Sequence, residues 1–171
     1  MNTAAARDPR LRFAALLDQH RGIVLKIARG YCAHQEDRLD LIQDISVQAW
    51  DAFDGFDPAR ARFSTWLYRV ALNVAISQLR RRQLRQRHQA VLDEDALPVD
   101  DTAAAEQQHA VQQLEVAIRA LPPLDRALML LHLDDHDHRQ IADILGISSA
   151  NVSTRLHRLR QQLRARFNPV A

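Results

Sequence analysis

The stretch HDHRQIADILGISSANVSTRLHRLRQQLRARF, residues 136–167, decides the fold of the C-terminal part of the chain. Asp137 followed three residues later by Gln140 is a capping-box pattern, which predicts the start of a short helix. Gly146 predicts the end of that helix, because glycine tolerates the left-handed backbone of a helix C-terminus. Ser148 is the expected N-cap of a second helix. Two helices joined in this way are typical of a helix-turn-helix unit.

The second predicted helix has one apolar side and one polar side. Its apolar residues recur every three or four positions and form a stripe that faces the core: Val152, Leu156, Leu159, Leu163 and Phe167. The polar side holds Thr154, His157, Arg158 and Gln161, with Asn151 and Arg155 on its flank. In a major groove, arginine suits guanine and asparagine suits adenine, so this side predicts DNA reading. An amphipathic hairpin with merely solvated arginines is the alternative.

Charge divides the chain into three blocks. Residues 1–92 hold 15 basic and 9 acidic groups, residues 93–118 hold 7 acidic groups and no basic one, and residues 119–171 hold 8 basic and 5 acidic groups. The net charge of +2 therefore hides two basic blocks around an acidic segment. That segment begins DEDALPVDDTAAAEQQ, which indicates a flexible linker, and helical spacing returns from Ala103 on. A shield over the basic surfaces is the alternative to a simple spacer.

Composition narrows the class of protein. Almost half of the 171 residues are apolar and only 4 are glycine, which favours an all-α protein made of two small helical domains. The basic groups are 22 arginines and one lysine, Lys26. Arginine suits contacts to phosphate and guanine. A genome rich in G and C, whose codons favour arginine, would give the same excess. The single cysteine, Cys32, indicates a reducing compartment and a core position, with redox sensing as the alternative. No apolar run approaches the roughly 20 residues of a membrane span, so we expect a cytoplasmic protein.

Residues 37–53 predict a helix with an acidic face. Its apolar side holds Ile42, Ile45, Ala49 and Phe53, and its other side holds Asp40, Asp44, Val47 and Asp51. Like charges four residues apart destabilise an isolated helix. A basic partner that docks on this face would explain the pattern better than solvent exposure alone.

A further helix is predicted from Ser64, its expected N-cap, into an arginine-rich run that ends at Arg87. Beside its apolar side runs a stripe of mixed character: Trp66, Arg69, Asn73, Ser77 and Arg80. Aromatic faces stack on unpaired bases while arginines hold phosphates, so the stripe predicts contact with single-stranded or locally melted nucleic acid. A core position is the alternative for Trp66.

In their order and spacing, these segments resemble the sigma factors of bacterial RNA polymerase, in the short extracytoplasmic-function group that keeps two of the family's domains. The resemblance covers nearly the whole chain. It rests on Asp40-Leu41-Ile42-Gln43-Asp44, on Phe63-Ser64-Thr65-Trp66-Leu67-Tyr68-Arg69 leading to Asn73 and Leu79-Arg80-Arg81, and on Leu121-Pro122-Pro123 before the helix-turn-helix. It implies a non-enzymatic factor, without cofactor or metal, that directs promoter-specific initiation of transcription.

The resemblance also implies a role for each block. Residues 1–92 would dock on core polymerase and melt and read the −10 element, residues 93–110 would form the linker, and residues 111–171 would read the −35 element. Docking residues would be Asp40, Leu41, Gln43 and Asp44. Contacts to −10 DNA would come from Arg62, Trp66, Arg69, Asn73, Ser77 and Arg80. Contacts to −35 DNA would come from Asn151, Ser153, Thr154, Arg155 and Arg158.

The partners that the resemblance implies are core RNA polymerase, through its β′ clamp helices and β flap, and promoter DNA. Family members are often held inactive by an anti-sigma protein. The apolar and basic surfaces of this chain could bind such a protein. The chain departs from common family residues at Leu39, Ser77, Ser153 and the turn Asp134-Asp135-His136. The promoter sequence read by relatives therefore does not transfer to this chain.

Two other functions remain open from the sequence. An ordinary helix-turn-helix regulator would explain the C-terminal block, but would leave the acidic face and the Trp66 stripe without a role. A metal-dependent enzyme would use the histidines His132, His136 and His138 with the aspartates between them. Side chains at adjacent turn positions are usually solvated, and no phosphate loop, nucleophile elbow or paired metal motif accompanies them. We therefore expect no metal site.

Overall fold

The computed structural model describes residues 8–88 and 103–167, and within them the chain is helical with no strand. The helices are α1 Pro9–Gln19, α2 Arg21–Tyr31, α3 Gln35–Ala52, α4 Phe63–His88, α5 Ala103–Arg119, α6 Pro123–Leu133, α7 His138–Leu145 and α8 Ser149–Phe167. A single 3₁₀ turn, Phe53–Gly55, follows α3. The all-α class predicted from the sequence is confirmed. None of the described helices is both long and apolar enough to cross a membrane.

The predicted linker, 93–110, lies mostly outside the described residues. Its last part is helical, since α5 begins at Ala103, where helical spacing returns in the sequence. The domain limits at residues 92 and 111 stay predictions. The chain ends, 1–7 and 168–171, also lie outside the described residues.

The N-terminal half, α1 to α4, buries the residues that its apolar spacing predicts. Ile45 and Ala49 of α3 are fully buried. Phe13 of α1 closes one end of the core with an edge-on ring contact to Phe53, at 5.1 Å between centroids. The N-cap prediction for Ser64 is wrong, because α4 begins one residue earlier, at the buried Phe63.

The helix-turn-helix forms as its local signals predict. The Asp137 side chain accepts hydrogen bonds from the backbone N–H groups of Arg139 and Gln140, and Gln140 bonds back to Asp137, which completes the capping box. Gly146 has φ +68°, in the left-handed region. The Ser148 hydroxyl accepts from the backbone N–H of Asn151 at 3.2 Å, at the start of α8. The apolar stripe is buried as far as Leu159, whereas Phe167, at its far end, is 40% exposed.

The two halves pack against each other and share one hydrophobic core, which the sequence pattern did not indicate. Gly30 of α2 lies so close to α6 that an added Cβ would sit 2.5 Å from Cδ1 of Leu130. The Tyr31 hydroxyl donates a hydrogen bond to the Pro123 carbonyl at 2.8 Å. Helix α4 contacts both α6 and α7. We call this packing the closed arrangement.

Candidate functional site

The acidic face of α3, defined here as Asp40, Gln43, Asp44 and Asp51, is exposed to solvent. Val47, in the middle of this face, is 49% exposed. The Asp44 carboxylate accepts a hydrogen bond from the Gln78 amide of α4 at 3.2 Å, which connects the face to its neighbour. The face therefore offers several carboxylates around a small apolar patch, a combination that suits a basic helical partner.

Leu41 does not belong to this face, so the expectation that it contacts a partner is wrong. Its side chain is fully buried. The physical reason is helical periodicity, since position 41 shares the core side of α3 with Ile45 and Ala49, four and eight residues further on. Leu41 thus supports the acidic face from beneath.

The polar stripe of α4 is exposed over most of its length. Arg69, Asn73, Ser77 and Arg80 face solvent, as does Arg62 just before the helix. Arg69 is also in contact with the other half, because its Nε donates a hydrogen bond to the Asp143 carbonyl of α7 at 3.0 Å. The predicted −10 surface is therefore bridged to the helix-turn-helix.

Trp66 is half-buried in an aromatic cluster. Its ring centroid lies 5.2 Å from that of Phe63, 5.3 Å from that of Phe56 and 6.2 Å from that of Phe53. Of the two interpretations that the sequence left open for Trp66, this packing favours the core position. Because the side chain is half-buried, a base could stack only on the part of the ring that stays exposed.

A groove of about 420 Å³ lies along the surface between α3 and α4. It brings together two sets of residues that the sequence assigned to different partners. The first set, Gln43 and Asp44, belongs to the acidic face, and the second, Asn73 and Ser77, belongs to the α4 stripe. The predicted polymerase-docking and −10 surfaces are thus adjacent walls of one groove.

The predicted −35 residues form a recognition face on α8: Asn151, Ser153, Thr154, Arg155 and Arg158. All are exposed except Arg155, which is half-buried. Arg155 Nε donates to Asn151 Oδ1 at 3.0 Å, one helical turn earlier. A second partner, Asp125 of α6, accepts from Arg155 Nη1 at 2.9 Å. Donors near the start of α8 thus stand on a surface that a major groove could receive.

One polar cluster between the halves was missed by sequence reasoning. The Asp134 carboxylate accepts hydrogen bonds from Lys26 of α2 and from the Tyr68 hydroxyl of α4. Burial by itself would raise the pKa of Asp134, but the hydrogen bonds from Lys26 and Tyr68 outweigh it and hold that pKa below its ordinary value. Desolvation and the same hydrogen bond raise the pKa of Tyr68. The departure at Asp134 from common family residues was the signal that could have pointed to this cluster.

The histidines near this turn have separate partners. His132 Nε2 accepts from Arg160 at 2.7 Å, and burial followed by the Arg160 charge lowers the pKa of His132. His136 donates to the Leu131 carbonyl at 3.2 Å and packs edge-on against Tyr68, whereas His138 is exposed. Across residues 8–88 and 103–167, no three potential ligand side chains converge on one point.

Comparison with known proteins agrees with this architecture. Residues 16–85 match Sigma-70 region 2, and residues 111–163 match Sigma-70 region 4. The RNA polymerase sigma factor NccH of Alcaligenes xylosoxydans xylosoxydans is 30% identical over 167 residues, which cover 94% of this chain and 89% of NccH. SigE, an ECF RNA polymerase sigma factor of Mycolicibacterium smegmatis, is 29% identical; the match covers 87% of this chain but only 59% of SigE.

A solved structure supports the same fold. The sigma factor RpoE of Bartonella quintana, in complex with the anti-sigma factor NepR, aligns with a TM-score of 0.68 at 18% identity, over 95% of this chain and 98% of RpoE. The two matched sigma regions together span more than half of the chain, and one lies in each half. The chain belongs to the extracytoplasmic-function group of RNA polymerase sigma factors, which direct promoter-specific initiation of transcription.

Proposed function

We propose that core RNA polymerase binds the acidic face of α3 and separates the two halves, after which α4 reads the −10 element and α8 reads the −35 element. The β′ clamp helices would meet the acidic face, and the β flap would meet the C-terminal half. In this account the free chain is the resting state. It binds promoters poorly because the two halves that carry its DNA-reading surfaces are held together.

The observation that carries the proposal is the contact between the −10 stripe of α4 and the helix-turn-helix, whose second helix carries the −35 residues. Arg69 of α4 is hydrogen-bonded to Asp143 of α7 at 3.0 Å. Positions −10 and −35 of a promoter are about 25 base pairs apart, or about 85 Å along a duplex that rises by about 3.4 Å per base pair. With α4 packed against the helix-turn-helix, the two reading surfaces cannot span this distance, so the closed arrangement must open before both elements are read.

The charge on α3 supports its role as the docking surface. Asp40 and Asp44 are exposed. Their carboxylates would repel the phosphates of DNA and attract a basic protein surface. The groove between α3 and α4 places this surface next to Asn73 and Ser77. Polymerase bound at Asp44 would therefore form one wall of the channel in which −10 bases are held.

An anti-sigma protein is a further proposed partner, because the matched RpoE structure is a complex with the anti-sigma factor NepR. We also propose that the chain has no catalytic activity of its own and acts in the cytoplasm, where RNA polymerase acts. Both of these points rest on the proposed binding to RNA polymerase.

A pull-down with purified core RNA polymerase tests the docking surface. The wild-type chain should be retained. The variant Asp40→Arg/Asp44→Arg should lose binding by about tenfold or more, because the introduced arginines would repel a basic partner. Circular dichroism checks that the variant keeps its helices. Asp18→Arg is the matched control, since the Asp18 side chain is 80% exposed on α1, outside the acidic face.

The outcomes separate the competing functions. Equal retention of wild type and the double variant would remove α3 as the docking surface. If neither chain is retained, and the free wild-type chain binds duplex DNA tightly, a stand-alone helix-turn-helix regulator becomes the better account.

A further inference from the structure

Asp125 is a buried carboxylate directly behind the recognition face. It lies in the first turn of α6 and is 7% exposed. One of its oxygens accepts from Arg155 at 2.9 Å, and the other lies 3.7 Å from Nη2 of Arg158. Both arginines belong to the predicted −35 contacts. A single acidic group thus holds the two main cations of the recognition face.

The hold on Arg155 is the tighter of the two. Its Nε is engaged by Asn151 and its Nη1 by Asp125, at 3.0 and 2.9 Å. A guanidinium has five N–H donors in one plane, so two fixed donors fix the direction of the remaining three. The Arg155 side chain keeps 32% of its surface exposed. Its free donors are therefore presented to solvent in a set orientation.

The hold on Arg158 is looser, and its side chain is 59% exposed. At 3.7 Å the interaction is an ion pair rather than a short hydrogen bond. Arg158 remains free to reach a phosphate or a base edge. The Asp125 charge nevertheless reduces the positive potential that the two arginines together present to DNA.

We infer that Asp125 is a positioning residue that gives the −35 contact its sequence selectivity. The inference rests on the proposed reading of −35 DNA by α8. With Arg155 fixed in advance, its donors match one base or phosphate geometry, and a mismatched site leaves them poorly paired. By cancelling part of the arginine charge, Asp125 also weakens attraction to DNA of any sequence. The carboxylate therefore lowers non-specific affinity and raises discrimination.

A merely structural role of Asp125 would act differently. If the carboxylate only joined α6 to α8, its loss would loosen the helix-turn-helix and weaken binding to every sequence alike. Positioning predicts opposite changes for the two kinds of DNA. Binding to unrelated DNA should strengthen while the preference among −35 sequences weakens.

The test uses holoenzyme assembled from core polymerase and the full chain, with a duplex library that has a fixed −10 segment and a randomised −35 segment. Wild-type holoenzyme should enrich a defined −35 sequence. Asp125→Asn keeps the size and one acceptor but removes the charge, and its enrichment should fall by about tenfold. Its affinity for a scrambled duplex should rise above that of wild type. The ratio of the two affinities should be about threefold larger at 50 mM than at 200 mM salt, as expected if the variant makes about one more phosphate contact.

Two further variants keep the result interpretable. Asp135→Asn removes an exposed charge from the same half, at a φ of 59° that asparagine tolerates, and should leave the enriched sequence unchanged. If Asp125→Asn fails to fold by circular dichroism, Asp125→Glu replaces it. That variant keeps the negative charge but moves the carboxylate by one methylene relative to Arg155, so enrichment should fall without a rise in scrambled-duplex affinity.

The inference is overturned if Asp125→Asn enriches the wild-type sequence equally well, or loses affinity for all sequences in equal proportion. A different result marks failure of the proposed function itself. In that case wild-type holoenzyme enriches no −35 sequence, and the role assigned to Asp125 falls with it.

Discussion

At the scale of single residues, the contact between the halves depends on charged and polar side chains held by partners distant in sequence. Arg126 of α6 is 5% exposed, and its guanidinium donates to the Tyr31 carbonyl at 3.5 Å and lies 5.1 Å from the centroid of the Tyr31 ring. Desolvation lowers the pKa of Arg126. The Asp134 carboxylate accepts hydrogen bonds from Lys26 and Tyr68 of the N-terminal half. These two residues join α6 and the turn after it to the N-terminal half.

The Asp134 contact predicts a specific pH dependence. The pKa of Asp134 is lower in the folded chain, so the carboxylate contributes stability above its unfolded pKa of about 3.9 and loses that contribution as the pH falls through the folded pKa. Asp134→Asn should therefore be less stable than wild type at pH 6, and the difference should shrink below about pH 4. Urea unfolding followed by circular dichroism between pH 6 and pH 3 measures it.

Asp135→Asn is the control for this series, because Asp135 is exposed on the same turn and should behave like wild type throughout. A stability difference between wild type and Asp134→Asn that stays constant down to pH 3 would contradict the proposed interaction.

At the scale of helices, the turn between α7 and α8 depends on one backbone conformation. Gly146 has φ +68°, and apart from the glycine itself and its two chain neighbours, no heavy atom lies within 4 Å of where its Cβ would be. Gly146→Ala therefore meets no steric clash and tests the left-handed backbone alone. It should lower the free energy of unfolding by about 1 kcal/mol, measured by urea denaturation. Gly146→Asn should cost less, because asparagine tolerates this region; equal stability of all three chains would contradict the account.

The same scale explains what the sequence could predict. The capping box at Asp137, the turn at Gly146 and the exposed Asp40 and Asp44 depend on residues within one or two helical turns, so their spacing is visible in the sequence. The contact between Lys26 and Asp134 joins residues 108 positions apart, and no local periodicity encodes it. Leu41 was misassigned because a family motif marks a segment, whereas burial is decided residue by residue.

At the scale of the whole molecule, the packing of the halves makes function depend on a change of arrangement. The helix that carries the predicted −10 surface packs against the helix-turn-helix that carries the predicted −35 surface. The roles of the site residues toward polymerase and DNA remain predictions. Polymerase binding at the acidic face is the event that we propose releases them, since it would use a surface that stays exposed while the halves are closed.

A distance measurement tests this central claim most directly. Gln83 of α4 and Gln162 of α8 are exposed, so cysteines introduced there can carry spin labels, while Cys32, at 3% exposure, should react little. We expect one defined label-to-label distance in the free chain and a distance longer by tens of ångströms with core polymerase, as the about 85 Å between promoter elements requires. An unchanged distance in a complex that still initiates transcription would contradict it.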